Sequence, residues 1–139
     1  MMSKRYPQWI TIHCSATPAS RDIDARDIRR WHQSRGWSDI GYHYVITRNG
    51  TLQTGRTLNK PGAHVKGHNR GNIGICLVGG VNESLTPEDN FTLAQRKTLF
   101  ALIENLQTLF KIPDHQVKRH QDWDDKKACP CIHIDYSLG

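Results

Sequence analysis

The order in which two hydrophobic periods alternate along this chain limits its fold more than any other feature. Trp9 to His13 reads as a short strand with Ile10 and Ile12 on one face. Asp24, with Asp27 three residues on, has the form of a helix N-cap. The helix it opens is expected to run to about Arg35, to bury Ala25, Ile28 and Trp31, and to end at Gly36. Tyr42 to Thr47 is a strand, Arg48-Asn49-Gly50 a turn and Thr51 to Thr54 the return strand, because Asn-Gly between two such runs is a strong hairpin signal. Residues 59–72, rich in Gly, Asn, His and Lys, read as a long loop. Ile73 to Val78 is a buried strand broken by Gly79-Gly80. Thr92 and Gln95 form a capping box. The helix behind it carries Leu99, Leu102, Ile103, Leu106, Leu109 and Phe110 at helical spacing, and Pro113 lies beyond its end. Val117 to His120 is read as a last strand. Alternating helices and strands predict an α/β fold: a central mixed β-sheet flanked by helices.

With 139 residues, the chain is expected to form one domain over 1–139. Hydrophobic residues make up 37% and charged residues 23%, which places it with globular rather than disordered chains. No apolar run approaches membrane-spanning length, so no membrane insertion is expected. The N-terminal residues carry charge without a following apolar stretch, which predicts cytoplasmic synthesis without a signal peptide. The formal charge of +6 suits polyanions in general: nucleic acid, anionic lipid or an anionic wall polymer. Basic residues are spread along the chain rather than gathered in a tail, so no nucleic-acid partner is expected. Of the four cysteines, Cys14 and Cys76 lie in apolar strand surroundings and read as small buried hydrophobes. Cys129 and Cys131 bracket Pro130 in a polar segment, a setting suited to ligation or reactivity.

That polar segment carries the chemistry. His120 precedes Cys129, and Lys127 lies two residues before the thiol. His13 ends the first strand far upstream, and His120 ends the last. Two imidazoles and a thiolate are the N/S donors that zinc prefers. Three protein ligands leave a fourth position open, the mark of a catalytic rather than a structural site. The spacing of His120 and Cys129 alone is not specific. It also leaves open a thiol hydrolase built on Cys129 and His120, although Pro130 and the upstream His13 favour metal. Cys131 could compete for a metal, and His133 is a spare ligand candidate. His43 points opposite to Tyr42 on its strand and reads as structural. His32 belongs to the first helix, on its surface or in the core, and Trp37 is read as a packing residue.

A wider series of blocks narrows these alternatives. His13-Cys14-Ser15-Ala16-Thr17 is followed by Ile28-Arg29-Arg30-Trp31-His32 and Gly36-Trp37-Ser38-Asp39-Ile40-Gly41-Tyr42-His43-Tyr44. Then come Arg48-Asn49-Gly50-Thr51, Gly55-Arg56, Gly62-Ala63-His64, the run from Asn72 to Gly80, and Lys127-Ala128-Cys129-Pro130. In content and order these blocks resemble the phage-type N-acetylmuramoyl-L-alanine amidases, relatives of the peptidoglycan recognition proteins. The resemblance implies that His13, His120 and Cys129 match the ligands of one Zn2+ per chain. It implies that Tyr42 matches a tyrosine beside the metal and Lys127 the lysine of the phage-type members. The implied reaction is hydrolysis of the amide between the lactyl group of N-acetylmuramic acid and L-alanine of the stem peptide. Lys127 is then expected to stabilise the oxyanion, and Tyr42 to orient water or donate to that oxyanion. His64 is expected to line the substrate groove, with His68 and Asn69 beside it. The run Arg119-His120-Gln121-Asp122 departs from the usual pattern, and the His120–Cys129 spacing looks one residue longer, so Trp123 to Lys126 is expected to be remodelled.

The expected partner is peptidoglycan, and the expected state a monomer. The enzyme would act on the cell wall after holin-dependent, lysis-dependent or other release. Two non-enzymatic alternatives share the fold: a module that binds wall fragments without cutting them, and a regulator that inhibits a phage RNA polymerase.

Overall fold

The computed structural model describes residues 7–129. Cys131 and His133, weighed above as alternative ligands, lie outside the described residues. The elements run β1 (Trp9–Cys14), β2 (Thr17–Pro18), α1 (Ala25–Ser34), β3 (Tyr44–Ile46), β4 (Leu52–Thr54), β5 (Asn72–Leu77), β6 (Gly80–Val81), α2 (Leu93–Phe110), β7 (Val117–Arg119) and α3 (His120–Trp123), with a 3-10 turn at Asp114–Gln116. Five strands form one sheet in the order β4-β3-β5-β1-β7, and β2 pairs with β6 in a separate two-stranded ribbon. Within the large sheet only the hairpin strand β4 runs antiparallel. This is the mixed sheet flanked by helices that the sequence implies.

The two central strands explain the two cores. Every residue of β5 is buried, as is all of β1 after Trp9, because both strands are covered on both faces. Ile10, Ile12, Ile73, Ile75 and Leu77 pack with Leu99, Leu102, Ile103 and Leu106 of α2. Cys76 and Val78 point the other way and pack with Ala25 and Ile28 of α1, together with Ile40 and Val45. Each fully buried aliphatic side chain contributes roughly 1.5–3 kcal/mol relative to exposure. The α2 face is therefore almost wholly apolar. The polar members of the central strands, Thr11, His13 and Asn72, fall on the α1 face, and the functional groups collect there.

Helix boundaries follow their caps. The Asp24 carboxylate accepts hydrogen bonds from the Arg26 and Asp27 amides, and the Asp27 carboxylate accepts one from the Asp24 amide. Gly36 takes φ +93° after α1, a conformation open to glycine at little cost. The Thr92–Gln95 box forms as expected. One burial expectation is corrected. In α1 the buried set is Ala25, Ile28 and His32, while Trp31 is half-buried beneath the Arg21 guanidinium. Positions 25, 28 and 32 share one face at i, i+3 and i+7, and Trp31 sits at its margin. In α2, Leu109 is exposed and Phe110 is half-buried against the core.

Two strand boundaries also differ. The regular part of β3 is only Tyr44–Ile46, although His43 still donates its amide to Gly74 O and Gly55 still donates to His43 O. The last strand ends at Arg119, and His120 is the first residue of α3 rather than the end of β7. Asp122 causes that change: its carboxylate accepts from the Arg119 amide and turns the chain into a helical cap.

Candidate active site

β1 and β7 are neighbours, paired in parallel with Ile12 opposite Arg119. This register brings the next residues, His13 and His120, together at the carboxyl ends of adjacent strands, with ring centroids 4.6 Å apart. The chain returns through α3 and a turn, where Gln121 N donates to Cys129 O at 3.0 Å. That places the Cys129 thiol against β1, where the Cys14 amide donates to Sγ at 2.9 Å. One ligand atom from each of His13, His120 and Cys129 then falls within 4.8 Å of the others. The three residues come together as the sequence implied.

The electrostatics suit a cation there. Burial, and then the rings of His64 and His120, hold the pKa of His13 well below the ordinary histidine value. Burial lowers His120 as well, reinforced by the Lys127 charge and opposed by Asp124. Both imidazoles are therefore neutral near pH 7, the form that ligates metal.

Tyr42 packs beside His13 with ring centroids 5.1 Å apart. Burial raises its pKa well above the ordinary phenol value, helped by the neighbouring thiols of Cys76, Cys129 and Cys14. The hydroxyl is thus a protonated donor close to the proposed ligands. His32 forms the wall behind it, with ring centroids 5.6 Å from Tyr42 and 4.6 Å from Trp37. Lys127 is exposed at the rim, and its amide is fixed by Asp124 O at 3.0 Å.

These groups open onto a groove of about 530 Å³, lined among others by Trp37, Tyr42, His64, Asn69, His120 and Lys127. Arg35, Lys66, Trp123 and Asp124 also line it. Sequence reasoning did not select these four for the site. Trp123 had a usable signal, since a residue three positions after His120 lies nearly one helical turn away on the same side. Arg35 and Lys66 had none, because they come from distant loops.

The three expected groove residues differ in position. His64 lines the groove, but it is buried and both its ring nitrogens are engaged: Nδ1 with His13 Nε2 at 2.9 Å and Nε2 with Asn72 O at 2.8 Å. Asn69 also lines the groove, yet its Oδ1 accepts from the His64 and Val65 amides, each at 2.8 Å. His68 is exposed and stacks on Trp123, with centroids 4.5 Å apart. His43 is buried and structural, as expected. Its Nδ1 accepts from the Gly74 amide at 3.0 Å, and its Nε2 bonds Lys60 O at 2.8 Å.

Comparison with known proteins identifies the family. The family model "N-acetylmuramoyl-L-alanine amidase" matches residues 3–132. The endolysin of Klebsiella phage KP32 is 44% identical over 125 residues, covering 90% of this chain and 81% of the relative. The endolysin of Escherichia phage T7 is 42% identical with the same coverage. Among solved structures, the N-acetylmuramoyl-L-alanine amidase LysC of Clostridium intestinale superposes with a TM-score of 0.80 at 31% identity, covering 98% of this chain and 84% of that one. Drosophila PGRP-LB gives a TM-score of 0.74 at 28% identity, over 90% and 75% of the two chains. This chain belongs to the N-acetylmuramoyl-L-alanine amidase family, and it is an enzyme of that family's activity.

Proposed function

We propose that the protein is a zinc-dependent endolysin, hydrolysing the amide between N-acetylmuramic acid and L-alanine in peptidoglycan. One observation carries the reading: the donor atoms of His13, His120 and Cys129 converge, and His120 of that set lines a groove together with Tyr42 and Lys127. The set fits zinc in donor type, in the neutrality of both imidazoles, and in offering three protein ligands among the described residues. When bound, zinc supplies Lewis-acid polarisation of the scissile carbonyl and activation of the attacking water.

The chain's own groups do the rest. His13 in β1, His120 immediately after the adjacent strand β7, and Cys129 in the turn beyond α3 would hold the metal, the first two on a rigid strand pair. The Tyr42 hydroxyl donates a hydrogen bond to the oxygen that gains charge as water adds to the carbonyl. The Lys127 ammonium lies on the same rim and stabilises that charge. The carbon–nitrogen bond then breaks: the oxygen of the attacking water stays on the lactyl carbon as a carboxylate, and the L-alanine amine leaves with the protons that the water gave up. Arg35 and Lys66 give the groove a positive rim suited to the carboxylates of a stem peptide. No helix among the described residues is long and apolar enough to cross a membrane. The enzyme acts on the wall after holin-dependent, lysis-dependent or other release, as a monomer.

The test is mass spectrometry of the soluble fragments from purified peptidoglycan, with and without EDTA. Stem peptides bearing a free L-alanine amine, lost on chelation, are expected. Release that survives EDTA points to the thiol reading with Cys129 and His120. Intact amides in a zinc-replete digest point to a binding or polymerase-inhibiting protein.

A further inference from the structure

The hydrogen bonds behind His13 run in one direction. Asn72 O is a carbonyl and only accepts, so His64 Nε2 carries the proton in their 2.8 Å bond. The ring is buried, and no carboxylate among the described residues is bonded to it, so it carries that one proton only. Its Nδ1 is then an acceptor, so the 2.9 Å bond to His13 has His13 Nε2 as donor. His13 is left with a single lone pair, on Nδ1.

From this we infer that His64 is a positioning residue: it fixes the Nε2–H tautomer of His13, so that Nδ1 is the atom offered to the metal.

The His64 ring sits in a slot built for it. A Cβ placed on Gly62 would lie 2.6 Å from His64 Cδ2, and one placed on Gly74 would lie 2.7 Å from both Cδ2 and Cγ. Only glycine at both positions leaves room for the ring. The His64 backbone is held by Asn69 Oδ1 at 2.8 Å. The acceptor residue Asn72 is fixed as firmly. Thr11 Oγ1 donates to Asn72 Oδ1 at 2.7 Å, and Asn72 Nδ2 donates to His68 O at 2.8 Å. Thr11 Oγ1 in turn accepts from Trp123 Nε1 at 2.9 Å, and Trp123 belongs to the same short helix as His120. One network therefore braces the elements that carry both histidine ligands. Outer partners of this kind orient a metal-ligating imidazole and raise its basicity.

The inference rests on the zinc reading above, and its test separates the two. Nitrogen-15 NMR of the zinc-free wild-type protein reads the His13 tautomer directly and needs no substitution. The proton is expected on Nε2, and a proton on Nδ1 overturns the inference. Zinc affinity is then measured by competition with a chromophoric chelator for wild type, His64→Leu and His64→Gln. Removal of such a partner weakens metal binding by about 10- to 100-fold, and this loss is expected for His64→Leu. Glutamine can accept from His13 and donate to Asn72 O, so His64→Gln is expected to recover most of the affinity. Gly74→Ala, which crowds the ring without altering any polar group, is expected to fall between them. Should wild type and His64→Leu bind zinc equally tightly, the positioning role is refuted while the zinc reading stands. A wild-type protein that binds no zinc refutes both.

Discussion

Acid should weaken this fold through His32, by an amount the structure allows to be worked out. His32 lies on the buried face of α1, and its Nδ1 accepts the Gly41 amide at 2.8 Å. Burial, followed by the charges of Arg35 and Arg56, lowers its pKa from 6.5 to about 4. In the unfolded chain the ring titrates at its ordinary value. Between the two values the unfolded chain binds a proton that the folded chain does not. The stabilisation is therefore complete above the unfolded value and is lost as pH falls through that window. At about pH 5 the unfolded ring is some 1.5 pH units into its titration, which corresponds to about 2 kcal/mol at ~1.36 kcal/mol per unit. The assay is urea denaturation of the metal-free protein at about pH 7.5 and pH 5, for wild type and His32→Gln. Glutamine can still accept the Gly41 amide but does not titrate. Other groups, including His64, whose pKa is lowered to about 3, contribute to both proteins and cancel. Wild type should lose about 2 kcal/mol more than the variant between the two conditions. Equal losses would show that His32 is not held neutral, and with it would fall the account of the wall behind Tyr42.

Other perturbations separate the roles assigned to the site and the core. Cys129→Ser should lose zinc and activity together, as read by metal analysis and peptidoglycan turnover. A variant that retained zinc would move the ligand role to Cys131. Lys127→Ala should keep zinc and fold normally but lose about 10²–10³ in kcat, the usual cost of one oxyanion donor. Full activity in that variant would remove Lys127 from the mechanism. Gln95→Leu should cost about 2–4 kcal/mol in denaturant unfolding, because buried polar groups would lose their partner. The Gln95 side chain donates to Ile46 O and Val78 O and accepts from the Thr92 amide. A loss below about 0.5 kcal/mol would show that the network contributes little.

The sequence by itself determined the element types and most of the boundaries, because these depend on local chemistry. The Asp24 and Thr92 caps, the Asn49-Gly50 turn and the apolar run of β5 act within a few residues of themselves. The three candidate ligands that the structure brings together were also legible, through residue type and the ordered blocks around them. What the sequence could not decide was direction and neighbourhood. His32 could face solvent or core from the first helix until α1 packed against Ile40 and Val45. His120 was read as a strand end, but a carboxylate two residues on turned it into a helix start. His64 looked like a groove residue, and only the approach of β5 to β1 showed that both its nitrogens face inward. Such choices depend on pairing between segments 50 to more than 100 residues apart, as in the His13–His64 and Cys14–Cys129 contacts. No local period encodes which strands become neighbours. The register of β1 with β5 and β7 settles it, and that register exists only once the core has closed on both faces of the sheet.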